Sequence, residues 1–215
     1  MATFVLIPGA GDRAWHWHLV ADELRERGHD VVAVDLPADD ESAGLSEYTD
    51  TAVEAIGDRR DLIVVAHSLG GFTAPLVCAR MPVDLLVLVA GMVPAPGEKG
   101  EDWWTNTGYA TPPGDYGGDE IALYLHDVPP DLAAEALAKG IDQTMTPMRE
   151  PWPLDAWPDV PTRYLLCRDD RVFPSAWVRR MVRDRLGIEA DEIDGGHCVY
   201  LSRPAELAAR LESLE

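Results

Sequence analysis

Residues 62–71 read LIVVAHSLGG, a short apolar run that ends in a serine between small residues. The run is continuous rather than alternating, which indicates a strand covered on both faces. Ala66 lies two residues before Ser68, and Gly70 lies two residues after it. A serine on a sharp strand-to-helix turn needs small residues at these positions, because the backbones approach closely there. The stretch predicts a buried strand, a tight turn and an exposed serine hydroxyl; the alternative is a glycine-rich helix start with an incidental serine.

Five more apolar runs occur along the chain, and helical patterns alternate with them. They cover residues 4–7, 31–35, 85–90, 162–167 and, more weakly, 189–193. Alternating strands and helices specify a parallel sheet with right-handed crossovers. We therefore predict an α/β fold in which helices flank a mostly parallel six-stranded sheet. One helix is predicted over residues 14–27, another is expected to end at Gly187, and Ser202 is expected to cap a third.

Residues from about 92 to 159 interrupt this alternation. The segment is rich in Pro, Gly and Trp, and it holds two short helical patterns, at residues 120–126 and 131–139. It falls between the fourth and fifth predicted strands. We expect a small cap inserted over the sheet rather than a second domain, so that residues 1–215 form one domain.

The charge balance and the cysteines exclude several classes of partner and cofactor. Lys and Arg total 18 against 38 Asp and Glu, a formal net charge of −20. Such a surface repels phosphate backbones and anionic membranes, so we expect neither nucleic acid nor a membrane as a partner. The three cysteines form no CxxC pair, which argues against a disulfide framework and a zinc site. Without a signal-peptide pattern or an apolar stretch of about 18 residues, a cytoplasmic location is expected.

Two polar loops follow the fifth and sixth predicted strands. Residues 167–174 read CRDDRVFP, and residues 194–197 read DGGH. On one type of α/β sheet a nucleophilic serine, an acid and a histidine occur in that chain order, and sites of such sheets lie at the carboxyl ends of the strands. The order predicts Ser68 as nucleophile, His197 as general base and an aspartate of the first loop as the group that orients the histidine.

Residues 8–11, PGAG, follow the first predicted strand and reach the same edge of the sheet. The backbone N–H groups of Ala10 and Leu69 are the predicted donors to the oxyanion that forms when a serine attacks a carbonyl. A simple turn is the alternative. The loop is not a phosphate-binding fingerprint, because the further glycine and the downstream acid are absent.

Several motifs outside the insertion have familiar counterparts. They are FVLIPGA at 4–10, AWHW at 14–17, Gly28-His29, Asp35-Leu36, HSLGG at 67–71, Asp170 and Gly196-His197. This set resembles the methylesterase and hydroxynitrile lyase branch of the α/β-hydrolases. The resemblance implies an α/β-hydrolase fold that starts at what is usually the third strand, with a small cap.

The resemblance also distinguishes two adjacent acids. The acid loop of the family has a glycine, two further residues, the acid, and a proline four residues later. With Cys167 at the glycine position, Asp170 falls on the acid and Pro174 on the proline. Asp170, rather than Asp169, is therefore predicted as the third member of the triad.

Two departures argue against hydroxynitrile lyase activity. The plant lyases carry a threonine where this chain has Gly9, and a lysine where Cys198 follows the histidine. In that family those two groups hold the cyanohydrin oxygen and the leaving cyanide. A serine at the nucleophile position likewise excludes the epoxide hydrolases and haloalkane dehalogenases of this fold, which use an acid there.

Other residues are weaker candidates. For substrate binding they are Gly9, Trp15, Trp103 and Trp104, with packing as the alternative for the tryptophans. His126 and Asp127 are expected to form a surface pair, and Cys198 is expected to be a small filler beside the base.

Taken together, the residues predict a serine hydrolase that needs no metal and no organic cofactor. The expected reaction is hydrolysis of a small neutral ester through an acyl-enzyme, with a small-molecule ester as the partner. The alternatives are a non-catalytic member of the fold that binds a small ligand, and an acyl transferase or C–C lyase that uses the same triad. The sequence leaves the natural substrate and the oligomeric state open.

Overall fold

Six strands form one sheet in the computed structural model, which describes residues 1–110 and 114–214. Their order across the sheet is β2-β1-β3-β4-β5-β6, and every pairing is parallel. The strands are β1 (Thr3–Ile7), β2 (Asp30–Ala33), β3 (Leu62–His67), β4 (Val83–Val89), β5 (Thr162–Cys167) and β6 (Asp191–Ile193). The predicted six-stranded parallel sheet is confirmed.

The central strands match the predicted bounds better than the outer ones. All residues of β1 and β3 are buried, which explains their continuous apolar runs. The outer strands β2 and β6 are both shorter than predicted. An outer strand pairs on one side only, so its apolar pattern defines its ends less well.

Helices alternate with the strands as expected. Those outside the insertion are α1 (His18–Glu26), α2 (Leu45–Ile56), α3 (Gly70–Cys78), α8 (Ser175–Leu186), α9 (Val199–Ser202) and α10 (Pro204–Glu212). A 3-10 turn, Ala14–Trp17, precedes α1. Helix α8 stops at Gly187 as predicted, and Gly187 takes the left-handed conformation that often ends a helix. No helix in the described ranges combines the length and the apolar character needed to cross a bilayer.

The prediction that Ser202 caps a helix is wrong. Ser202 is the last residue of α9, and its N–H already donates to the carbonyl of Cys198. Arg203 occupies the cap position of α10, while the Ser202 hydroxyl is buried without a partner in the described part of the chain. The short turn α9 was not visible in the sequence pattern, and its presence moves the start of α10 by one residue.

Between β4 and β5 the chain forms α4 (Gly100–Asn106), α5 (Glu120–Tyr124), α6 (Pro130–Lys139) and α7 (Thr146–Arg149). Helices α5 and α6 correspond to the two predicted ones, whereas α4 and α7 were not predicted. We call residues 92–159 the insertion.

The two ends of the insertion lie side by side. Lys99 and Pro151 form an antiparallel bridge, and the N–H of Trp152 donates to the carbonyl of Glu98 over 2.8 Å. The Glu98 carboxylate is buried and accepts two hydrogen bonds from Arg185 of α8, at 2.8 and 2.9 Å. The insertion is therefore fixed to the rest of the fold where it begins and ends.

Candidate active site

The turn between β3 and α3 places Ser68. Its φ of 47° lies in the left-handed region, which few residues other than glycine adopt. The Ser68 carbonyl accepts hydrogen bonds from the N–H groups of Met92 (2.9 Å) and Gly71 (3.1 Å), which stabilise this conformation. A Cβ on Gly70 would lie 2.6 Å from the carbonyl of Pro8. Position 70, two residues after the serine, therefore requires a glycine because the loop that follows β1 lies against it.

Asp170 and His197 form a buried pair. Asp170 Oδ2 lies 2.8 Å from His197 Nδ1, and both side chains are almost fully enclosed. The other carboxylate oxygen, Oδ1, accepts the N–H groups of Val172 (2.7 Å) and Phe173 (2.9 Å). Because the carboxylate accepts at Nδ1, that nitrogen carries the proton and Nε2 is the ring atom left to act as a base.

The neighbouring acids face elsewhere. Asp169 is exposed, and its Oδ2 accepts the N–H of Gly195 at 3.2 Å. Asp194 pairs with Arg168 over 2.6 Å. Of these three aspartates, only Asp170 contacts the ring of His197.

A cavity of about 820 Å³ opens at the carboxyl edge of the sheet. Its wall includes Ser68, His197, Ala10 and Leu69, so the structure brings the predicted nucleophile, base and oxyanion donors to one space. Within the described ranges, the backbone N–H groups of Ala10 and Leu69 donate to no protein acceptor. Both donors are thus available to a ligand in the cavity.

Of the four substrate-binding candidates, Trp104 lies in the cavity wall and the other three do not. Trp103 is fully buried, and its indole N–H donates to the carbonyl of Val93. Trp15 stacks on His18, and Lys139 lies over its ring. Gly9 lies beneath the wall, where a Cβ would come 2.8 Å from Nδ1 of His67. Packing explains these three positions.

A second polar group, not predicted from the sequence, borders the same cavity. The Tyr200 hydroxyl donates to Asp12 Oδ2 over 2.7 Å and lies 3.2 Å from the Cys198 sulfur. Burial raises the pKa of the Asp12 carboxyl. It also raises the pKa values of the Cys198 thiol and the Tyr200 hydroxyl well above their ordinary values. Cys198 therefore stays a thiol, which fits a filler better than a nucleophile.

His67 contacts the backbone of His197. Its Nε2 lies 3.0 Å from the carbonyl of His197, and the two rings are 4.6 Å apart. Burial lowers the pKa of His67 well below its ordinary value, so this imidazole stays neutral near pH 7. A neutral Nε2–H donates to that carbonyl.

His126 and Asp127 are not the surface pair that the sequence suggested. His126 Nδ1 and Asp127 Oδ1 are both buried and have no partner among the described residues. Asp127 Oδ2 accepts the N–H of Gly196 over 2.7 Å, across 69 positions of sequence. No local pattern in the sequence signals such a contact.

The wall combines apolar surface with negative charge. Its apolar side chains include Met92, Trp104, Leu125, Ile141, Val172 and Phe173. Its charged residues are the acids Asp12, Asp39, Glu120 and Asp142, and no Lys or Arg lines it within the described ranges. The described residues also include no group of three or more His, Cys, Asp or Glu side chains that could hold a metal ion.

Comparison with known proteins places this geometry in a family. The alpha/beta hydrolase family model matches residues 4–210, and the chain belongs to that family. Methylesterase 7 from Arabidopsis thaliana is 29% identical, over 97% of this chain and 94% of that protein. Methyl jasmonate esterase 1 from Vitis vinifera is 26% identical, over 98% and 95%.

Among solved structures, polyneuridine aldehyde esterase superimposes with a TM-score of 0.83 at 20% identity. The match covers 100% of this chain and 99% of that one, which shows a shared fold. The resemblance to the methylesterase branch is therefore confirmed, as is the α/β-hydrolase fold.

The two adjacent tryptophans of α4 should respond differently to truncation. Trp104→Ala opens the cavity wall, so we expect it to change the ratio of kcat/KM for acetyl and octanoyl p-nitrophenyl esters by about tenfold or more. Trp103→Ala removes a buried ring and should instead cost about 3–5 kcal/mol of stability. Kinetics with both esters and chemical denaturation check the pair. An unchanged ester ratio in Trp104→Ala would show that its ring is structural too.

Proposed function

We propose that this protein is a serine carboxylesterase whose catalytic residues are Ser68, His197 and Asp170. The observation that carries the proposal is the buried 2.8 Å contact between Asp170 and His197, at a cavity that Ser68 also lines. A protein that only binds a ligand has no need for a histidine held in one tautomer by an enclosed carboxylate. The esterase names of its sequence relatives support the same conclusion.

In the proposed reaction, Oγ of Ser68 attacks the ester carbonyl while Nε2 of His197 takes its proton. The N–H groups of Ala10 and Leu69 stabilise the oxyanion. The protonated imidazole then returns the proton to the departing alcohol, which leaves an acyl-enzyme. Water attacks this acyl group while His197 takes its proton, and the imidazole returns that proton to Oγ of Ser68 as the bond to the acyl group breaks and the carboxylic acid leaves. Asp170 keeps the proton on Nδ1 throughout.

The cavity favours small, mainly apolar esters. Its volume of about 820 Å³ is in the range for ligands of drug size. Relatives named for methyl ester hydrolysis make methyl esters of apolar acids the first substrates to test. The acidic lining would also repel the carboxylate product, which helps its release.

The proposal is tested first at Ser68. Ser68→Ala should lose labelling by a fluorophosphonate probe and at least about 10³-fold in kcat, because a triad member is usually worth several orders of magnitude. The thermal midpoint serves as the control for folding. Turnover close to that of the wild type would refute the assignment of the nucleophile.

The adjacent aspartates provide a matched pair. Asp170→Asn should cost about 10⁴ in kcat, by analogy with the protease triad, since an amide leaves the imidazole in the wrong tautomer. Asp169→Asn keeps an oxygen that can accept the N–H of Gly195, so less than about a tenfold loss is expected. Steady-state kinetics on one ester compare the two variants. Equal losses, or a larger loss in Asp169→Asn, would contradict the assignment of the acid.

The charge of the cavity gives a prediction about substrates. Three esters of one acyl chain are compared, whose alcohols carry no charge, a carboxylate or a trimethylammonium group. We expect kcat/KM for the anionic ester to be about tenfold below the other two at low salt, and the gap to narrow in 0.5 M NaCl. The double variant Asp39→Asn/Glu120→Gln should also narrow the gap in kcat/KM between the anionic ester and the other two. An anionic ester that reacts as fast as the neutral one at low salt would show that the acids do not act on substrates.

A further inference from the structure

We propose that Asp127 of the insertion is a positioning residue that holds the backbone carrying His197. The proposal rests on the proposed esterase function. Asp127 follows α5 and precedes α6, far from β6 in the chain, yet its Oδ2 accepts the N–H of Gly196 over 2.7 Å. Gly196 is the residue directly before His197. A shift of Asp127 would therefore move the peptide to which the imidazole is attached.

The space around Gly196 shows how closely the insertion approaches this loop. A Cβ at position 196 would lie 2.6 Å from Oδ1 of Asp127 and 2.6 Å from Cε1 of His126. The φ of Gly196 is not positive, whereas the preceding Gly195 has a φ of 128°. Backbone conformation explains the glycine at 195, but the contact with the insertion explains the one at 196.

Other contacts hold His197 from the sheet side. Asp170 binds the ring, and His67 donates to the His197 carbonyl. Asp169 accepts the N–H of Gly195, and its own N–H donates to the Gly195 carbonyl. Asp127 accepts a further hydrogen bond from this segment, on the side of the insertion. The base is thus fixed between the sheet edge and the insertion, at the cavity that both of them border.

One oxygen of the Asp127 carboxylate is buried without a hydrogen bond from any described residue, which does not favour stability. Oδ1 is buried without a partner in the described ranges, and the same holds for Nδ1 of the adjacent His126. A buried polar atom that lacks a hydrogen bond destabilises the fold. An acid at this position is explained if the hydrogen bond that Oδ2 accepts from the N–H of Gly196 contributes to catalysis.

The test separates positioning from packing with three substitutions. Asp127→Leu keeps the approximate shape but accepts no hydrogen bond, Asp127→Ala removes the group, and Asp127→Asn retains an acceptor oxygen. We expect Asp127→Leu and Asp127→Ala to lower kcat at least about tenfold, because small displacements of a catalytic group are costly. Their KM should stay within about twofold of the wild-type value. Asn should recover kcat to within about threefold of wild type. Asp127→Leu should fold with a thermal midpoint close to that of the wild type, because the loss of the unpartnered Oδ1 offsets the loss of the acceptor for the N–H of Gly196.

Asp131→Ala is the control, since Asp131 is an exposed acid of the same insertion, four residues away. It should leave kcat and KM unchanged and lower the thermal midpoint only slightly, because Asp131 lies in the first turn of α6. Values of kcat within twofold of wild type in both Asp127→Ala and Asp127→Leu would overturn the proposal. Failure of both variants to fold would also overturn it, because the carboxylate would then be structural.

A double-variant experiment checks that Asp127 acts through His197. On the slow residual reaction of His197→Ala, adding Asp127→Leu should change the rate by less than twofold, since there is no imidazole left to position. A further tenfold loss would show that Asp127 acts elsewhere. The two proposals also fail differently. If Ser68→Ala and His197→Ala retain activity, the esterase assignment is wrong; if they lose it while the Asp127 variants do not, only the positioning role is wrong.

Discussion

The backbone of the turn after β3 determines where the other parts of the site must lie. Ser68 is held at a φ of 47° by hydrogen bonds from Met92 and Gly71 to its carbonyl. A Cβ on Gly71 would overlap the carbonyl of Met92, so no larger residue fits between the start of α3 and the loop after β4. This close contact joins the end of β3 to the first residues of the insertion. The close approach of these two backbones therefore holds Ser68 in its strained conformation beside the start of the insertion.

Burial affects the polar groups around the cavity in different ways. The carboxylate of Asp170 is enclosed but accepts two backbone N–H groups and the imidazole, so its charge is compensated. Asp12 accepts from Tyr200, and burial raises its pKa. Burial lowers the pKa of His67, so this ring stays neutral and donates a hydrogen bond to the carbonyl of His197. Nδ1 of His197 lies 2.8 Å from a carboxylate oxygen of Asp170, whereas Nδ1 of His67 lies 3.9 Å from that of Asp12, beyond hydrogen-bond distance, and this distinguishes His197 as the proposed base.

The features that the sequence predicted are those that local backbone chemistry determines. The strand Leu62–His67 and the small residues around Ser68 follow from burial on two faces and from one turn, and the structure has both. The cavity wall depends on long-range packing, which composition does not encode. Trp103 and Trp104 are identical in type and adjacent on α4, yet one is fully buried and the other lines the cavity. Asp127 contacts Gly196 because the insertion folds back over the sheet edge. The residues next to Asp127 in the sequence do not indicate this contact, and from them alone a surface position is expected.

The bridge between Lys99 and Pro151 has a consequence for how such proteins diversify. The chain leaves the sheet after β4 and returns before β5 through two segments that lie side by side. A change in length between them need not alter the spacing of the strands, and doubling a loop adds only about 0.6 kcal/mol of closure entropy. The segment between the bridge residues can therefore vary in length, but its contacts with the site limit how it varies: the Tyr109 hydroxyl donates to the carbonyl of Val172 over 2.6 Å, and the N–H of Ile141 donates to the carbonyl of Gly11 over 2.9 Å. Gly196 adds another limit, because a segment without Asp127 would leave the N–H of Gly196 without its present acceptor.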